Sequence, residues 1–464
     1  MKYVSTRGTA PVLGFDDVLL TGLAADGGLY VPERWPALPT DVAGRPYADV
    51  ATDVLWPFVD GALDRAELEA VVADAYAGFD DPGVCPVRPL GDDGTWLLEL
   101  FHGPTLAFKD VALQVVGRLF ERELGRRDER VTIVVATSGD TGSAAIEACR
   151  GRDHVDVVVL HPHGRVSDVQ RRQMTTVADA NVHNVAVEGS FDDCQALVKE
   201  MFADAAFRRR AHLSAMNSIN WARVAPQVVY YATAASVVAP GGGPVAFAVP
   251  TGNFGNVYAA YAGRRMGLPV TQLVVGSNRN DIITRFLDTG RMEVAGVVPT
   301  LSPSMDIEVS SNFERLLFEA YDRHGSVVAE AMEGFKVRGA LTLDAERLAR
   351  LRTLFDGAAF DDDATLAEIA RTWDEHGVLV DPHTAVGLAA ARRLRRDTGV
   401  PMVVAATAHP AKFPDAVEQA TGLRPELPAH LAGLMDRPEH VDVVARDLAT
   451  VEDLVVERVG WIEG

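Results

Sequence analysis

The sequence predicts an α/β protein in which mostly parallel sheets are covered by helices on both faces. From about residue 96 onward, apolar strand segments alternate with helical segments, and glycine-rich loops join several strands to the helices that follow. At 464 residues, the chain is long enough for two or three domains of roughly 100–200 residues each. A hydrophobic share of 48% is enough to fill a large core.

Turn signals and helical stretches come first along the chain, and buried strands follow. Leu29–Val31 is a short predicted strand, and the positions of Leu68, Val71, Val72 and Ala75 predict an amphipathic helix. Five apolar runs, most of them rich in β-branched residues, predict buried strands at residues 131–136, 155–160, 245–249, 270–275 and 402–407.

Two further patterns divide the chain into domains. The glycine run at 241–243 marks a hinge or domain junction. Leu348, Leu351 and Phe355 recur at helical spacing, which predicts a helical insertion at about residues 295–375. We therefore expect an N-terminal domain at 1–95, an α/β domain at 96–240, and a larger α/β domain at 241–464 that carries the insertion.

The charge balance argues against two classes of partner. The formal net charge is −21, so nucleic acid and anionic membranes are poor matches. Small anionic ligands stay compatible, because helix dipoles and a few placed cations bind them. No signal peptide and no apolar run of roughly 18–20 residues is visible, so we expect a cytoplasmic protein. The three cysteines lie in no metal-binding spacing, and we predict no metal site.

One lysine lies in an apolar stretch where a helix is predicted to begin. Lys109 follows Phe108 in FHGPTLAFKD, and Val111–Leu119 has helical spacing. Desolvation lowers the pKa of a lysine and makes its amine nucleophilic, which suits Schiff-base chemistry. A surface lysine at a helix start explains the same pattern, so this segment alone leaves both interpretations open. A Walker phosphate loop is excluded, since Phe108 and Asp110 replace the required glycine and hydroxyl residue.

Two loops between a strand and a helix have the composition of anion-binding turns. Thr137–Gly142 (TSGDTG) offers hydroxyls and backbone N–H groups to a carboxylate or phosphate. Pro250–Asn256 (PTGNFGN) carries two glycines that allow the backbone to approach a phosphate closely. Its G-x-x-G spacing differs from the dinucleotide fingerprint, which disfavours a Rossmann dehydrogenase. An ordinary strand-to-helix turn is the alternative for each loop, and it is the commoner outcome for TSGDTG taken alone. For PTGNFGN this alternative is weaker, because two such loops occur in one chain.

A third polar cluster brings together two amides, a hydroxyl and a guanidinium. These groups lie within Asn217–Arg223 (NSINWAR) and suit the binding of a phosphate or carboxylate. A capped helix start with one surface arginine is the alternative for this cluster taken alone.

Taken together, these segments resemble the threonine synthases, in the longer form found in bacteria and fungi. The resemblance runs from residue 1 to about 425 and rests on blocks in the family's order. They are ADGGLYVPE (25–33), FHGPTLAFKD (101–110), ATSGDTGSAA (136–145), NSINWAR (217–223), PTGNFGN (250–256), SNRNDI (277–282), TLSPSMDI (300–307), SSNFERLLF (310–318), DPHTAVG (381–387) and TAHPAKF (407–413). The resemblance implies a fold-type II pyridoxal-phosphate (PLP) enzyme of the tryptophan-synthase-β type, with the cofactor between two open α/β domains.

The resemblance also assigns a role to each motif. It implies that Lys109 forms the Schiff base with PLP and that Thr407 bonds the pyridine nitrogen. The loop around the cofactor phosphate is then Gly252, Asn253, Phe254, Gly255 and Asn256. The substrate carboxylate or the O3′ edge of the cofactor meets Thr137, Ser138, Asp140 and Thr141, of which Asp140 is assigned to the cofactor. The substrate phosphate meets Asn217, Ser218, Asn220 and Arg223.

The implied reaction converts O-phospho-L-homoserine and water into L-threonine and phosphate, with Lys109 carrying protons. A fold-type II lyase of the serine or threonine dehydratase kind is one alternative, and the phosphate-binding cluster at 217–223 argues against it. A catalytically silent threonine-synthase-like protein that binds a phosphate ligand is another, and the presence of Lys109 and the glycine loop argues against that. The sequence does not give the oligomeric state, and a monomer or a small homo-oligomer fits equally well.

Overall fold

The chain forms two compact units, each built from two separate segments of sequence. The structure is a computed structural model, and it describes residues 1–462. The first unit comprises Met1–Ala112 and Ser218–Pro425, and the second comprises Leu113–Asn217 and the chain from Glu426 onward. The glycine run at 241–243 lies inside the first unit. The three-part division at residues 95 and 240 stays a prediction.

Strands and helices alternate along most of the described chain. The strands are β1 (Tyr3–Ser5), β2 (Tyr30–Pro32), β3 (Val87–Pro89), β4 (Thr95–Glu99), β5 (Val131–Ala136), β6 (Val155–Pro162), β7 (Val182–Glu188), β8 (Leu213–Ser214), β9 (Val245–Pro250), β10 (Val270–Ser277), β11 (Arg291–Glu293), β12 (Ala340–Thr342), β13 (Phe355–Ala359), β14 (Met402–Ala406) and β15 (Asp442–Ala445). The helices are α1 (Phe15–Thr21), α2 (Tyr47–Val59), α3 (Arg65–Tyr76), α4 (Lys109–Arg127), α5 (Asp140–Cys149), α6 (Asp168–Thr175), α7 (Phe191–Ala203), α8 (Ala205–Arg210), α9 (Trp221–Val238), α10 (Gly255–Arg265), α11 (Ile282–Thr289), α12 (Phe313–Ala320), α13 (Gly325–Arg338), α14 (Ala345–Arg352), α15 (Asp362–His376), α16 (Pro382–Leu394), α17 (Pro414–Thr421) and α18 (Leu448–Arg458). Short 3-10 helices lie at Pro303–Met305, Pro410–Lys412, Ala429–Leu431 and Leu434–Asp436.

The first unit is built on a six-stranded sheet in the order β13-β10-β9-β14-β4-β3. All neighbours in it are parallel except β3, which runs antiparallel to β4 at the edge. Every residue of β9 and β14 is buried, and α16 packs against the central strands. Because the carboxyl ends of parallel strands meet at one edge, the segments after β4, β9, β10 and β14 gather there. These segments contain FHGPTLAFKD, PTGNFGN, SNRNDI and TAHPAKF.

The second unit has its own five-stranded parallel sheet in the order β15-β7-β6-β5-β8. Its core packs side chains of the central strands against α7 and α18, including Val158, Leu197 and Val455. The TSGDTG loop follows β5 and leads into α5, so it lies at the carboxyl edge of this sheet.

Most predicted elements are confirmed, and one is wrong. The strand at 131–136 has the predicted bounds, and the other four predicted buried strands begin at the predicted residue and differ only at their ends. The insertion is mainly helical, as α12 to α15 show. Phe355, however, begins β13 and pairs with Leu273 of β10, whereas its spacing from Leu351 predicted a helix. The helix ends at Arg352, and Phe355 is instead buried at the edge of the sheet, where β10 supplies hydrogen-bond partners.

Within residues 1–462, no helix is long and apolar enough to cross a membrane.

Candidate active site

Lys109 is the first residue of α4, and its side chain is buried. The residue is only 8% exposed, which excludes the surface-lysine interpretation. Its Nζ donates a hydrogen bond to Ser304 Oγ at 3.1 Å and lies 5.4 Å from the centroid of the Phe108 ring. Of the chain's lysines, only Lys412 is also buried, and its Nζ donates to the carbonyl of Thr105 at 2.6 Å. Lys109 is thus a buried lysine whose amine donates to a side-chain hydroxyl.

Backbone hydrogen bonds hold the segment before Lys109 against the segment that follows β14. The Phe108 N–H donates to the carbonyl of Thr407 at 2.9 Å, and the His409 N–H donates to that of Leu106 at 3.0 Å. Lys109 and Thr407, which the resemblance assigned to the two ends of the cofactor ring system, are therefore fixed relative to each other by the fold of the first unit.

The PTGNFGN loop joins β9 to α10 and has the backbone of an anion site. Gly255 is the first residue of α10, so N–H groups without a helical partner lie at this end of the loop. Phe254 has a left-handed backbone, with φ 62°. A Cβ on Gly252 would lie 2.9 Å from the carbonyl oxygen of Ser304 and 3.1 Å from Met305 Cα, so only glycine fits there without a backbone shift.

Two side chains of this loop have different surroundings. Phe254 is 1% exposed and packs edge-on against Phe313 at 5.1 Å between ring centroids, so it offers a ligand only its backbone. Asn256 is buried, and its Oδ1 accepts hydrogen bonds from the hydroxyls of Tyr230 at 2.6 Å and Tyr231 at 2.5 Å. Its Nδ2 has no partner among the described residues. A buried amide donor of this kind is costly unless a ligand accepts from it.

The Asn217–Arg223 cluster is divided between exposed and buried groups. Asn217 is exposed, and Ser218 is half-buried. Asn220 caps α9, because its Oδ1 accepts from the Ala222 N–H at 2.9 Å, and its Nδ2 donates to the carbonyl of Leu19 at 2.7 Å. Both ends of its amide therefore stabilise the fold, and its predicted phosphate contact stays a prediction.

Arg223 lies in the first turn of α9 and is 5% exposed. Burial lowers the pKa of its guanidinium from the ordinary value to about 10. A guanidinium in so dry a place suits the binding of a doubly charged anion such as a phosphate.

The TSGDTG residues of the second unit form a tight turn. Thr137 Oγ1 accepts hydrogen bonds from the N–H groups of Gly139 and Gly142, both at 2.9 Å. Asp140 is buried, and its Oδ1 accepts from Gln170 Nε2 at 2.8 Å. Ser138 and Thr141 are half-buried, so their hydroxyls are the accessible polar groups of this loop.

A segment that sequence reasoning gave no role connects three of the predicted motifs. We call Ser310–Arg315 the bridging segment. Two of its hydrogen bonds reach the PTGNFGN loop: Ser310 Oγ donates to the Gly252 carbonyl at 2.6 Å, and the Asn312 N–H donates to the Asn253 carbonyl at 3.2 Å. Two reach the NSINWAR cluster: Asn312 Nδ2 donates to the Ser218 carbonyl at 3.0 Å, and Arg315 donates to the Ile219 carbonyl at 2.6 Å. Arg315 also donates to the Tyr30 carbonyl at 2.9 Å, in the ADGGLYVPE block. The polar residues of SSNFER were visible in the sequence, but their partners lie up to 285 positions away.

Ser304 and His383 are also residues that sequence reasoning passed over. The Ser304 N–H donates to His383 Nε2 at 3.1 Å, and Ser304 Oγ meets Lys109. Both residues were present in the blocks TLSPSMDI and DPHTAVG, but no pattern in one block points to the other.

The chemistry of these groups fits pyridoxal phosphate. A buried primary amine, a helix start with close-approach glycines, and the unpartnered Asn256 Nδ2 match the aldehyde and phosphate ends of that molecule. Within residues 1–462, no group of three or more His, Cys, Asp or Glu residues is arranged to hold a metal ion. The fold and the site therefore define a fold-type II PLP enzyme.

Comparison with known proteins narrows this class. The model of the family "Pyridoxal-phosphate dependent enzyme" matches residues 86–338, that of "Threonine synthase N terminus" matches 2–76, and that of "Threonine synthase, C-terminal" matches 384–455. A threonine synthase of Pseudomonas aeruginosa is 52% identical over 99% of this chain and 98% of its own length.

Solved structures agree with these matches. A crystal structure of PLP-bound threonine synthase from Brucella melitensis superimposes with a TM-score of 0.96 at 51% identity, covering 99% of each chain. The crystal structure of threonine synthase from yeast gives a TM-score of 0.93 at 36% identity, covering 99% of this chain and 98% of that one. The chain belongs to the threonine synthase family of PLP-dependent enzymes. The predicted family, fold and cofactor are thereby confirmed, as is the function of a threonine synthase.

Proposed function

We propose that the chain converts O-phospho-L-homoserine and water into L-threonine and phosphate. The observation that carries this proposal is the buried Lys109 amine, 3.1 Å from Ser304 Oγ, in a unit that also holds a glycine loop and a buried arginine. The loop suits the phosphate of the cofactor, and Arg223 suits a second phosphate. Two phosphate-binding elements distinguish this substrate from the unphosphorylated serine or threonine of a dehydratase.

The residues of the first unit hold the cofactor in this proposal. Lys109 holds it covalently through Nζ, and the Thr407 hydroxyl faces its pyridine nitrogen. Its phosphate is bound by backbone N–H groups of Gly252, Asn253, Phe254 and Gly255 and by Asn256 Nδ2. When bound, pyridoxal phosphate supplies the electron sink that stabilises negative charge at the substrate Cα.

Lys109 then carries protons. With substrate in the site, the free amine of Lys109 would accept the proton from the substrate Cα through Nζ. The proton of Cβ passes to the departing phosphate as the bond between Cγ and the phosphate oxygen breaks, so the leaving group departs as hydrogen phosphate. Lys109 delivers a proton to Cγ, and one water adds its hydroxyl to Cβ and replaces the proton at Cα. The atoms of substrate and water are then all present in threonine and phosphate.

The remaining assignments complete the binding of the substrate. Arg223 and Ser218, with Asn217 and Asn220, bind the substrate phosphate. In the second unit, the accessible hydroxyls of Ser138 and Thr141 suit the substrate carboxylate, Thr137 shapes their turn, and Asp140 is assigned to the O3′ edge of the cofactor. We also propose that the protein acts in the cytoplasm, as a monomer or a small homo-oligomer.

The test measures the formation of phosphate and of L-threonine in the same reaction, catalysed by purified protein loaded with PLP. We expect equal amounts of phosphate and L-threonine from O-phospho-L-homoserine, and neither product from Lys109→Ala. Phosphate without threonine would contradict the proposal and indicate a lyase. A keto acid formed from L-serine or L-threonine, with no reaction of the phosphorylated substrate, would favour the dehydratase, and inactivity towards all three would favour a silent binding protein.

A further inference from the structure

Asp381 is a fully buried carboxylate that accepts four hydrogen bonds from two neighbouring residues. It is 0% exposed and caps the N-terminus of α16. Oδ2 accepts from the His383 N–H at 3.0 Å and meets His383 Nδ1 at 2.6 Å. Oδ1 accepts from the Thr384 N–H at 3.0 Å and from the Thr384 hydroxyl. We call Asp381, His383 and Thr384 the Asp381 cluster. Capping needs only the two backbone N–H groups, so the two side-chain contacts require another explanation.

The contacts of His383 determine where its proton lies. A backbone N–H can only donate, so His383 Nε2 must accept from Ser304 at 3.1 Å. Nδ1 therefore carries the hydrogen and donates it to Asp381. The carboxylate fixes the tautomer, and the tautomer makes the bond to Ser304 possible.

Ser304 is in turn the hydroxyl partner of Lys109 Nζ, at 3.1 Å. Its loop is also fixed from the other side, because Asp306 accepts from Thr300 Oγ1 at 2.7 Å and from Asn278 Nδ2 at 2.8 Å. Ser304 Oγ thus has a defined position, and His383 is the side chain that holds its backbone there.

The other half of the Asp381 cluster reaches Thr407. The Thr407 N–H donates to Thr384 Oγ1 at 3.2 Å, and the Thr407 carbonyl accepts from the Phe108 N–H at 2.9 Å. One carboxylate therefore organises both Thr407 and the hydroxyl that meets Lys109.

We propose that Ser304 is a catalytic residue that orients the Lys109 amine, and that Asp381 is the positioning residue that acts on it through His383. The hydroxyl accepts a hydrogen from Nζ and so directs the nitrogen lone pair of the free amine. This inference rests on the proposed function in one respect: O-phospho-L-homoserine is the substrate with which kcat and KM are measured.

The substitution Asp381→Asn is the most specific test of this proposal. Asn is nearly the same size as Asp and caps helices equally well, so a purely capping role predicts no effect of Asp381→Asn. An amide has one acceptor oxygen and one donor nitrogen, and it cannot accept from both His383 and Thr384. Asp447→Asn is the matched control, because Asp447 caps α18 in the second unit through the Thr450 N–H at 2.9 Å.

The experiment uses PLP-loaded protein and compares wild type, Asp381→Asn, Ser304→Ala, the double variant and Asp447→Asn. In Asp381→Asn and Ser304→Ala we expect the visible absorption band of the bound cofactor to titrate at a different pH. We expect kcat to fall about 100-fold with KM changed less than about threefold. The double variant should be no worse than the poorer single variant, because Asp381 acts through Ser304.

Several outcomes would overturn the proposal. If the cofactor band of Ser304→Ala titrates at the same pH as that of wild type, Ser304 does not orient the Lys109 amine. This variant only lacks one oxygen atom, so it needs no change in the fold. If the fold-losses in kcat of the two single variants multiply in the double variant, Asp381 does not act through Ser304. If wild type makes no threonine, the proposed function fails, but the band titrations of the variants still decide the roles of Ser304 and Asp381.

Discussion

At the scale of single residues, the burial and hydrogen bonds of a side chain decide which interpretations of a sequence motif are possible. The pattern around Lys109 fits a surface lysine as well as a nucleophile, and the structure excludes the surface lysine, because the side chain is buried beside a hydroxyl. The role of Lys109 as the nucleophile stays a proposal. Asn220 has both ends of its side-chain amide hydrogen-bonded within the fold, and its proposed contact with the substrate phosphate stays a prediction.

His102, in the same block as Lys109, makes the stability of the protein depend on pH. Burial by itself lowers the pKa of His102, but hydrogen bonds to Glu99 at 2.9 Å and Asp80 at 2.7 Å outweigh it, and the pKa is raised above the ordinary value. The charged form is therefore favoured in the folded state. Its stabilisation is fully present below the unfolded pKa of about 6.5 and is lost as the pH rises through the folded value.

We expect His102→Gln to flatten this dependence. The free energy of unfolding, from denaturant titrations between about pH 6 and pH 9, should fall with pH more steeply in wild type than in the variant. Parallel curves for the two proteins would show that His102 does not gain its proton on folding.

At the scale of elements, the bridging segment Ser310–Arg315 decides how the loops of the first unit are held together. It joins the PTGNFGN loop to the NSINWAR cluster through the Gly252, Asn253 and Ser218 carbonyls. Arg315 is fully buried, and burial lowers the pKa of its guanidinium to about 10. A buried cation that donates to backbone carbonyls fixes the chain that carries them.

Asn312→Ala should loosen both loops without unfolding the protein. It removes the donor to the Ser218 carbonyl and the acceptor for Arg315, so we expect KM for O-phospho-L-homoserine and Kd for PLP to rise about tenfold each. Asn181→Ala is the control, because Asn181 Nδ2 donates to the carbonyls of Cys149 at 2.8 Å and Val155 at 2.8 Å in the second unit. The control should lower the melting temperature and leave KM unchanged. An Asn312→Ala enzyme with wild-type KM and Kd would contradict the bridging role.

The elements also show what a sequence can predict. The buried parallel strands were predicted with nearly correct bounds, because apolar β-branched runs between glycine-rich turns have few other structures available. Phe355 was assigned to a helix because its distance from Leu351 fits helical spacing as well as a new strand, and only the neighbouring edge of β10 decides between them. Ser304, His383 and Arg315 acquire their roles from partners far away in sequence, which no local pattern encodes.

At the scale of the whole molecule, the chain has two units with separate sheets and separate cores. The residues proposed to hold the cofactor lie in the first unit, apart from Asp140, which is assigned to its O3′ edge. The net charge of −21 does not oppose binding of an anionic cofactor, since the proposed contacts are made by local N–H groups and Asn256 Nδ2.

Cofactor binding should therefore protect the first unit locally. Hydrogen exchange should slow on addition of PLP at residues 250–256 and 300–306, because binding to the folded state stabilises the loops that make the contacts. Helix α18, which packs against α7 in the second unit, is the internal control and should exchange at the same rate with and without PLP. Equal protection everywhere would mean that the effect is global, and no protection at 250–256 would contradict the proposed phosphate site.

The identity of the lysine that holds the cofactor tests the central claim most directly. The chain has only the lysines Lys2, Lys109, Lys199, Lys336 and Lys412, so borohydride reduction of the PLP-loaded protein followed by peptide mass spectrometry gives an unambiguous answer. We expect one reduced phosphopyridoxyl group per chain, on Lys109. A group on the other buried lysine, Lys412, or on any of the three exposed ones, would contradict the account.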